Sequence, residues 1–302
     1  MRIVWGLHAA VGLAIFVTYS RLPPGELYNV SDKGIELGAG RLLVFLNYPV
    51  SLAAIAIAWL AAERIRTRAA MGVAVVATVL CGVTAWPDVV DQHDLDAKPI
   101  NLLPAIGVAI ALALSLRAPW ERVGRLRLDP LRLVIGVVVW LVALVWVAAV
   151  LGFYFPGDIF LGEELRLGGE GETYEAVHLG DHEGLDAALL VTSALLLTRL
   201  RHRLALGFLL GLMFVYGVAV EWRDFWFEQV VKRDWTSWAP PEVLIPRLSV
   251  AWAVLLVLAL LVALAVRRLE GPGRPGADPR RTAPSPPRDR PRAGSTTGEP
   301  SP

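Results

Sequence analysis

Cysteine and lysine are nearly missing from these 302 residues, which hold one Cys, Cys81, and three Lys, Lys33, Lys98 and Lys232. A single cysteine inside an apolar run permits neither an intramolecular disulfide nor a cysteine-based zinc cluster, which excludes a secreted disulfide scaffold. The shortage of lysine leaves arginine at 26 of the 29 basic positions, the bias of a GC-rich bacterial genome. Charge is sparse as a whole, at 19% of residues against about 25% in an average soluble domain. Charge this sparse is the composition of a membrane protein and excludes a nucleic-acid binder, whereas the formal net charge of +1 informs only once it is divided along the chain. Catalytic signatures are missing too. There is no G-x-S-x-G elbow, no H-E-x-x-H pair and no phosphate-cradling glycine loop, so no nucleotide is expected.

What is abundant is apolar surface: 55% of residues are hydrophobic and the mean hydropathy is +0.52. A bilayer core of roughly 30 Å takes about 20 helical residues, and eight apolar runs approach that length. They are Ile3–Ser20, Arg41–Ala62, Ala69–Trp86, Asn101–Leu116, Leu133–Phe155, Leu185–Thr198, Leu204–Val220 and Leu248–Val266. The fourth and sixth are short and need flanking residues to reach both interfaces. Thr18 and Ser20 stand at cleavage-like spacing, but no A-x-A pattern follows the first run, which is therefore read as a span. The expected fold is all-α: a polytopic integral membrane helical bundle of about eight transmembrane helices over residues 1–268.

Charge orients it. Arg64, Arg66 and Arg68 follow the second run, Arg117, Arg122, Arg125, Arg127 and Arg132 the fourth, Arg199, Arg201 and Arg203 the sixth, and Arg267 and Arg268 the eighth. The connections between these basic ones, residues 21–40, 87–100, 154–184 and 221–246, are acidic. Arginine marks the cytoplasmic side, so both termini are expected in the cytoplasm, in a plasma membrane. Tryptophans Trp86, Trp222, Trp226, Trp235 and Trp238 fall at outer ends, where amphipathic rings settle. Residues 269–302 are Pro- and Arg-rich and too poor in apolar side chains to order, so a disordered cytoplasmic tail is expected.

Local patterns add detail. Asn47-Tyr48-Pro49 implies a kink in the second span, with Asn47 placed to bond carbonyls that Pro49 releases. Two short extended pieces around Gly168-Gly169-Glu170-Gly171 read as a hairpin. In the last outer loop Trp222, Phe225, Trp226 and Val230 share one helical face, and Asp224, Glu228 and Lys232 lie mostly opposite. That spacing suits a helix lying in the outer interface.

Ionisable groups inside spans mark coupled transporters, and the polar residues here are few: His8, Tyr19, Asn47, Tyr48, Thr78, Thr192, Ser193, Tyr216 and Ser249. His8 reads as an interhelical structural histidine. As the only histidine within a span it cannot supply a pair of axial ligands, so haem is not expected. A polar path through the membrane would run along Asn47, Tyr48 and Tyr216, with Asn101, Thr192 and Ser193 beside it. Outside the membrane, His178, His182 and Asp186 are four residues apart and would face one way on a continuous helix, which is metal-ligand spacing. His93, or an aspartate among Asp88, Asp91, Asp94 and Asp96, could complete a shell for a divalent metal such as zinc. The structural alternative makes Asp181 the N-cap of the sixth span.

Three functions fit these residues. The preferred one is a non-catalytic accessory or binding membrane protein, whose acidic outer face engages an envelope protein or lipid partner. The alternatives are a small-solute transporter and a metal-dependent membrane hydrolase or transferase with an outer-face His/Asp site.

Overall fold

The computed structural model describes residues 1–21, 35, 37–86, 89, 97–119, 123–151, 164–166, 173–175, 183–231 and 233–270. Its helices are α1 (Arg2–Arg21), α2 (Leu37–Asn47), α3 (Pro49–Ile65), α4 (Arg68–Gly82), α5 (Leu102–Arg117), α6 (Asp129–Val142), α7 (Leu144–Val150), α8 (Glu183–Leu197), α9 (Leu204–Trp226) and α10 (Val250–Glu270). Two three-residue strands, β1 (Glu164–Arg166) and β2 (Thr173–Glu175), pair antiparallel with Leu165 opposite Tyr174. They form the hairpin that the glycine-rich turn implied. The tail beyond Glu270 lies outside the described residues.

Among the described residues five helices are long and apolar enough to cross a membrane, and seven spans result if each of two bent helix pairs counts as one. α1, α4, α5, α9 and α10 correspond to expected runs, α5 with the help of a 3-10 turn at Pro99–Asn101. The sixth expected run is α8, and it falls short. Its 15 residues reach ~22 Å, less than a bilayer core. Eleven of them are buried, so α8 is an interior helix whose environment is largely other helices.

The first bent pair, α2 and α3, turns by 50° at the expected place. Pro49 has no N–H to donate and opens the helix there. The carbonyl at the break is taken up by Ser51, whose Oγ donates to the Leu46 oxygen at 2.7 Å. Asn47 does not perform that role: its side chain is buried and has no hydrogen-bond partner among the described residues. The second pair, α6 and α7, turns by 54° at Ala143 without a proline. The helix tightens locally, with Trp146 N–H donating to Ala143 O, three residues back, at 3.1 Å.

The helices sort by burial. α3 and α8 form the centre, whereas α10 buries only Leu255, Ala259 and Ala263. Large apolar side chains cover the outside of α4 (Val75, Val76, Val79), α6 (Leu133, Val134, Val138) and α10 (Leu258, Leu260, Leu261). Contiguous exposed apolar surface of that extent is a lipid-facing surface. Small residues let α9 approach both neighbours. A Cβ at Gly211 would fall 2.4 Å from the Ala259 carbonyl oxygen of α10, and one at Gly217 would fall 2.7 Å from Val191 Cγ2 of α8.

Candidate functional site

Helices α8 and α9 lie side by side, and one end of the bundle is organised where the start of α8 meets the finish of α9. The sequence suggested a separate interfacial helix over residues 221–230. Instead α9 runs unbroken through Trp226 into a π turn over Phe227–Val231. The expected division of faces holds, and the carboxylate face is the inward one. Glu221, Asp224 and Glu228 are buried, whereas Trp222 is 51% exposed. Asp224 is drawn inward by the amide end of α8, where Gly184 N–H donates to its Oδ2 at 2.7 Å. A carboxylate there satisfies an orphan donor and meets the positive end of the helix dipole.

Arg223 holds the next layer. Its guanidinium pairs with Glu183 of α8 at 3.5 Å and with Glu242 of the segment that follows α9. That segment is fastened at two more points: Tyr216 Oη donates to Leu244 O at 2.7 Å, and Trp226 Nε1 donates to Trp238 O at 3.1 Å. Glu242 in turn accepts the Leu244 N–H at 2.8 Å. Residues 233–249 are thereby folded as a cap where α8 starts and α9 finishes. Glu183 precedes the apolar run that begins at Leu185. Withdrawal from water, together with the nearby Asp224 carboxylate, pushes it up to about 8 against the pull of Arg223.

Tryptophans surround this ion-paired centre. Trp222 and Trp226 lie 5.2 Å apart, ring to ring, and Trp226 meets Trp238 edge-on at 5.5 Å. Trp235, with the Arg233 guanidinium 5.4 Å over its ring, is 70% exposed, and Trp238 is 56% exposed.

Of the expected polar path, Tyr48 and Tyr216 do come together, edge-to-face at 5.8 Å. They border a cavity of about 60 Å³ that is otherwise lined by apolar side chains, Trp252 and Leu244 among them, and by Thr84. Asn47 is buried with no hydrogen-bond partner among the described residues, whereas the polar side chains beside the path are committed to their surroundings. Trp140 Nε1 donates to Thr192 Oγ1 and Trp59 Nε1 to Thr78 Oγ1, both at 2.9 Å, Ser193 Oγ donates to Leu189 O at 2.7 Å, and Asn101 Oδ1 accepts the Lys98 N–H. His8 is bonded within its own helix rather than between helices, its Nδ1 lying 2.9 Å from the Val4 oxygen beside the Phe45 ring.

Three of the four expected metal ligands, His93, His178 and His182, lie outside the described residues, and Asp186 is buried in the first turn of α8. Among the described residues no group of three or more His, Cys, Asp or Glu side chains is arranged to hold a metal ion. Sequence reasoning did not anticipate the Arg223 clamp. Its one available signal was a lone arginine among Glu221, Asp224 and Glu228. Comparison with protein-family models, with curated proteins and with solved structures finds no match.

Proposed function

We propose that the chain is an eight-span plasma-membrane protein with both termini in the cytoplasm, acting as a non-catalytic binding or accessory protein through its outer end. The observation that carries this reading is the cap over residues 233–249, clamped by Arg223 and bordered by exposed tryptophans. A rigid, half-wet aromatic surface around a fixed ion-paired centre is the composition of a binding face. Asp224 is engaged in capping α8 and Glu183 and Glu242 in pairing Arg223, which supports an architectural role for these three carboxylates. The partner is an envelope protein or a lipid.

Eight spans require α8 to cross as an interior helix, which its length permits only if neighbouring helices supply most of its environment; the burial of eleven of its residues supports that. Small-solute transport is the second reading, favoured by the meeting of Tyr48 and Tyr216. A 60 Å³ cavity has room for about two waters, so transport would need the cap to swing away.

A photoreactive phenylalanine analogue at Trp235 or Trp238, irradiated in intact cells, tests the binding reading. It should give one discrete adduct, which Arg223→Ala removes while the amount of protein in the membrane is unchanged. Adducts that match those from lipid-facing Leu258 would overturn it. Solute flux into liposomes bearing the protein would establish the transport reading instead. Near-stoichiometric zinc or manganese in protein purified without chelator, lost in His182→Ala, would favour instead the metal-dependent hydrolase or transferase and direct a screen of lipid and envelope substrates.

A further inference from the structure

Beneath the cap lies the cavity bordered by Tyr48 and Tyr216, and its walls come from both halves of the chain. Leu52 of α3 and Ala85, in the turn that ends α4, line it together with Leu212 of α9 and Trp252 of α10. Leu244 and Pro246 of the cap complete it.

Level decides which medium the cavity meets. α9 starts at Leu204, next to Arg203, so at 1.5 Å per residue Leu212 stands ~12 Å and Tyr216 ~18 Å along it. Both fall within a hydrocarbon core of roughly 30 Å. Ala85 is exposed, as are Val79 and Trp86 on the α4 side and Val254 on the α10 side. The cavity thus lies among side chains that continue the lipid-facing surfaces of α4 and α10, at the depth of lipid chains.

Its polar groups are already engaged. Tyr216 Oη donates to Leu244 O at 2.7 Å, and Thr84 Oγ1 donates to Cys81 O at 2.9 Å. A water needs about two to four polar partners, and apolar cavities stay dry. An empty gap forfeits dispersion contacts that hydrocarbon would restore. At about 60 Å³ there is room for about two groups of the bulk of a water or a methylene, which suits a chain and not a ring.

We propose that this cavity holds a segment of one acyl chain of a membrane phospholipid, and that the chain props the cap. Tyr216 and Trp252 line the cavity and also fasten the cap, Tyr216 to Leu244 O and Trp252, through Nε1, to Ile245 O at 3.1 Å. A chain packed against both rings restricts the movement that would release both bonds. The inference stands apart from what engages the exposed tryptophans, because the chain enters from the flank of the bundle.

The experiment strips the full chain of lipid in mild detergent, adds dioleoylphosphatidylcholine and counts what native mass spectrometry finds retained after dilution. The wild type should retain one lipid per chain. Leu212→Trp, which fills the cavity, should retain it about tenfold less well. Leu258→Trp, the same enlargement on the outward face of α10, should retain it like the wild type. Hydrogen exchange at the Leu244 and Ile245 amides of the wild type should slow when the lipid is added, a readout that stands even if Leu212→Trp does not fold. Equal retention by the wild type and a folded Leu212→Trp would overturn the proposal, as would exchange at Leu244 and Ile245 that lipid leaves unchanged. A loss in Leu258→Trp as large as in Leu212→Trp would mark the retained lipid as part of the general lipid shell and overturn it too.

Discussion

Arg132 at the start of α6 and Glu270 at the end of α10, 138 positions apart, are joined by two parallel hydrogen bonds of 2.7 and 3.0 Å. Both side chains are largely withdrawn from water, 9% and 13% exposed. Arg132 also pairs with Asp129 at 3.2 Å and donates to Thr198 Oγ1, and Asp129 pairs with Arg199. The network ties the start of α6 to the ends of α8 and α10. Removing one partner strands the other, so Arg132→Ala should destabilise by about 3 kcal/mol. Glu270→Gln should cost less because it leaves hydrogen bonds possible. Arg132→Lys should not restore the wild type, since the fork geometry is lost. Thermal unfolding in one detergent, with the double variant completing the cycle, measures the coupling.

Glu183 gives the outer end a defined pH response. Its ordinary value is 4.5 and in the fold it is pushed up to about 8, so between these values the folded chain holds a proton that the unfolded chain has released. Stability must then fall as pH rises from about 5 to 8, and flatten above that. Glu183→Gln, which mimics the protonated form, should remove this slope and melt higher than the wild type at pH 8. Melting temperatures at several pH values for both proteins check the sign. An unchanged slope in the variant would place the titration elsewhere.

Gly184 and Trp146 make a steric prediction for the bend between α6 and α7. Trp146 is completely buried, and a Cβ at Gly184 would fall 2.4 Å from its ring. Gly184→Ala should therefore cost about 1–3 kcal/mol through overpacking. Trp146→Phe should make room and recover part of that loss in the double variant, seen as non-additive melting shifts.

How much of this was legible in the sequence follows from what periodicity encodes. Apolar runs announced the helices, Pro49 the first bend and Gly168-Gly169 the hairpin, because each depends on residues close in the chain. For α9 the pattern at residues 221–230 separated carboxylates from tryptophans but could not say which side was in. Beside a membrane the rule of soluble proteins inverts, and Trp222 turns outward while Asp224 turns in to cap α8. The bend at Ala143 has neither proline nor glycine to signal it. The cavity beneath the cap was read as part of a polar path, since nothing local relates Tyr48 to Leu212 or Trp252.

The number of crossings turns on α8, the expected span that no adjoining turn extends to the length of a crossing, and labelling decides it. Cys81 is fully buried, so the wild type gives a blank background for a membrane-impermeant maleimide. Arg127, Arg201 and Ser237 occupy the connections before α6, after α8 and after α9, and each can carry a single added cysteine at a site that is at least partly exposed. If α6 and α7 cross together and α8 crosses back, Arg127→Cys and Arg201→Cys lie on the same side, silent in intact cells and labelled after permeabilisation. Ser237→Cys, one crossing further on, labels in intact cells. If α8 does not cross, the side of Arg201 is exchanged with that of Ser237, and the cap over α8 and α9 would face the cytoplasm. That outcome would remove the outer-face binding reading, because the tryptophan-bordered surface would no longer meet the envelope.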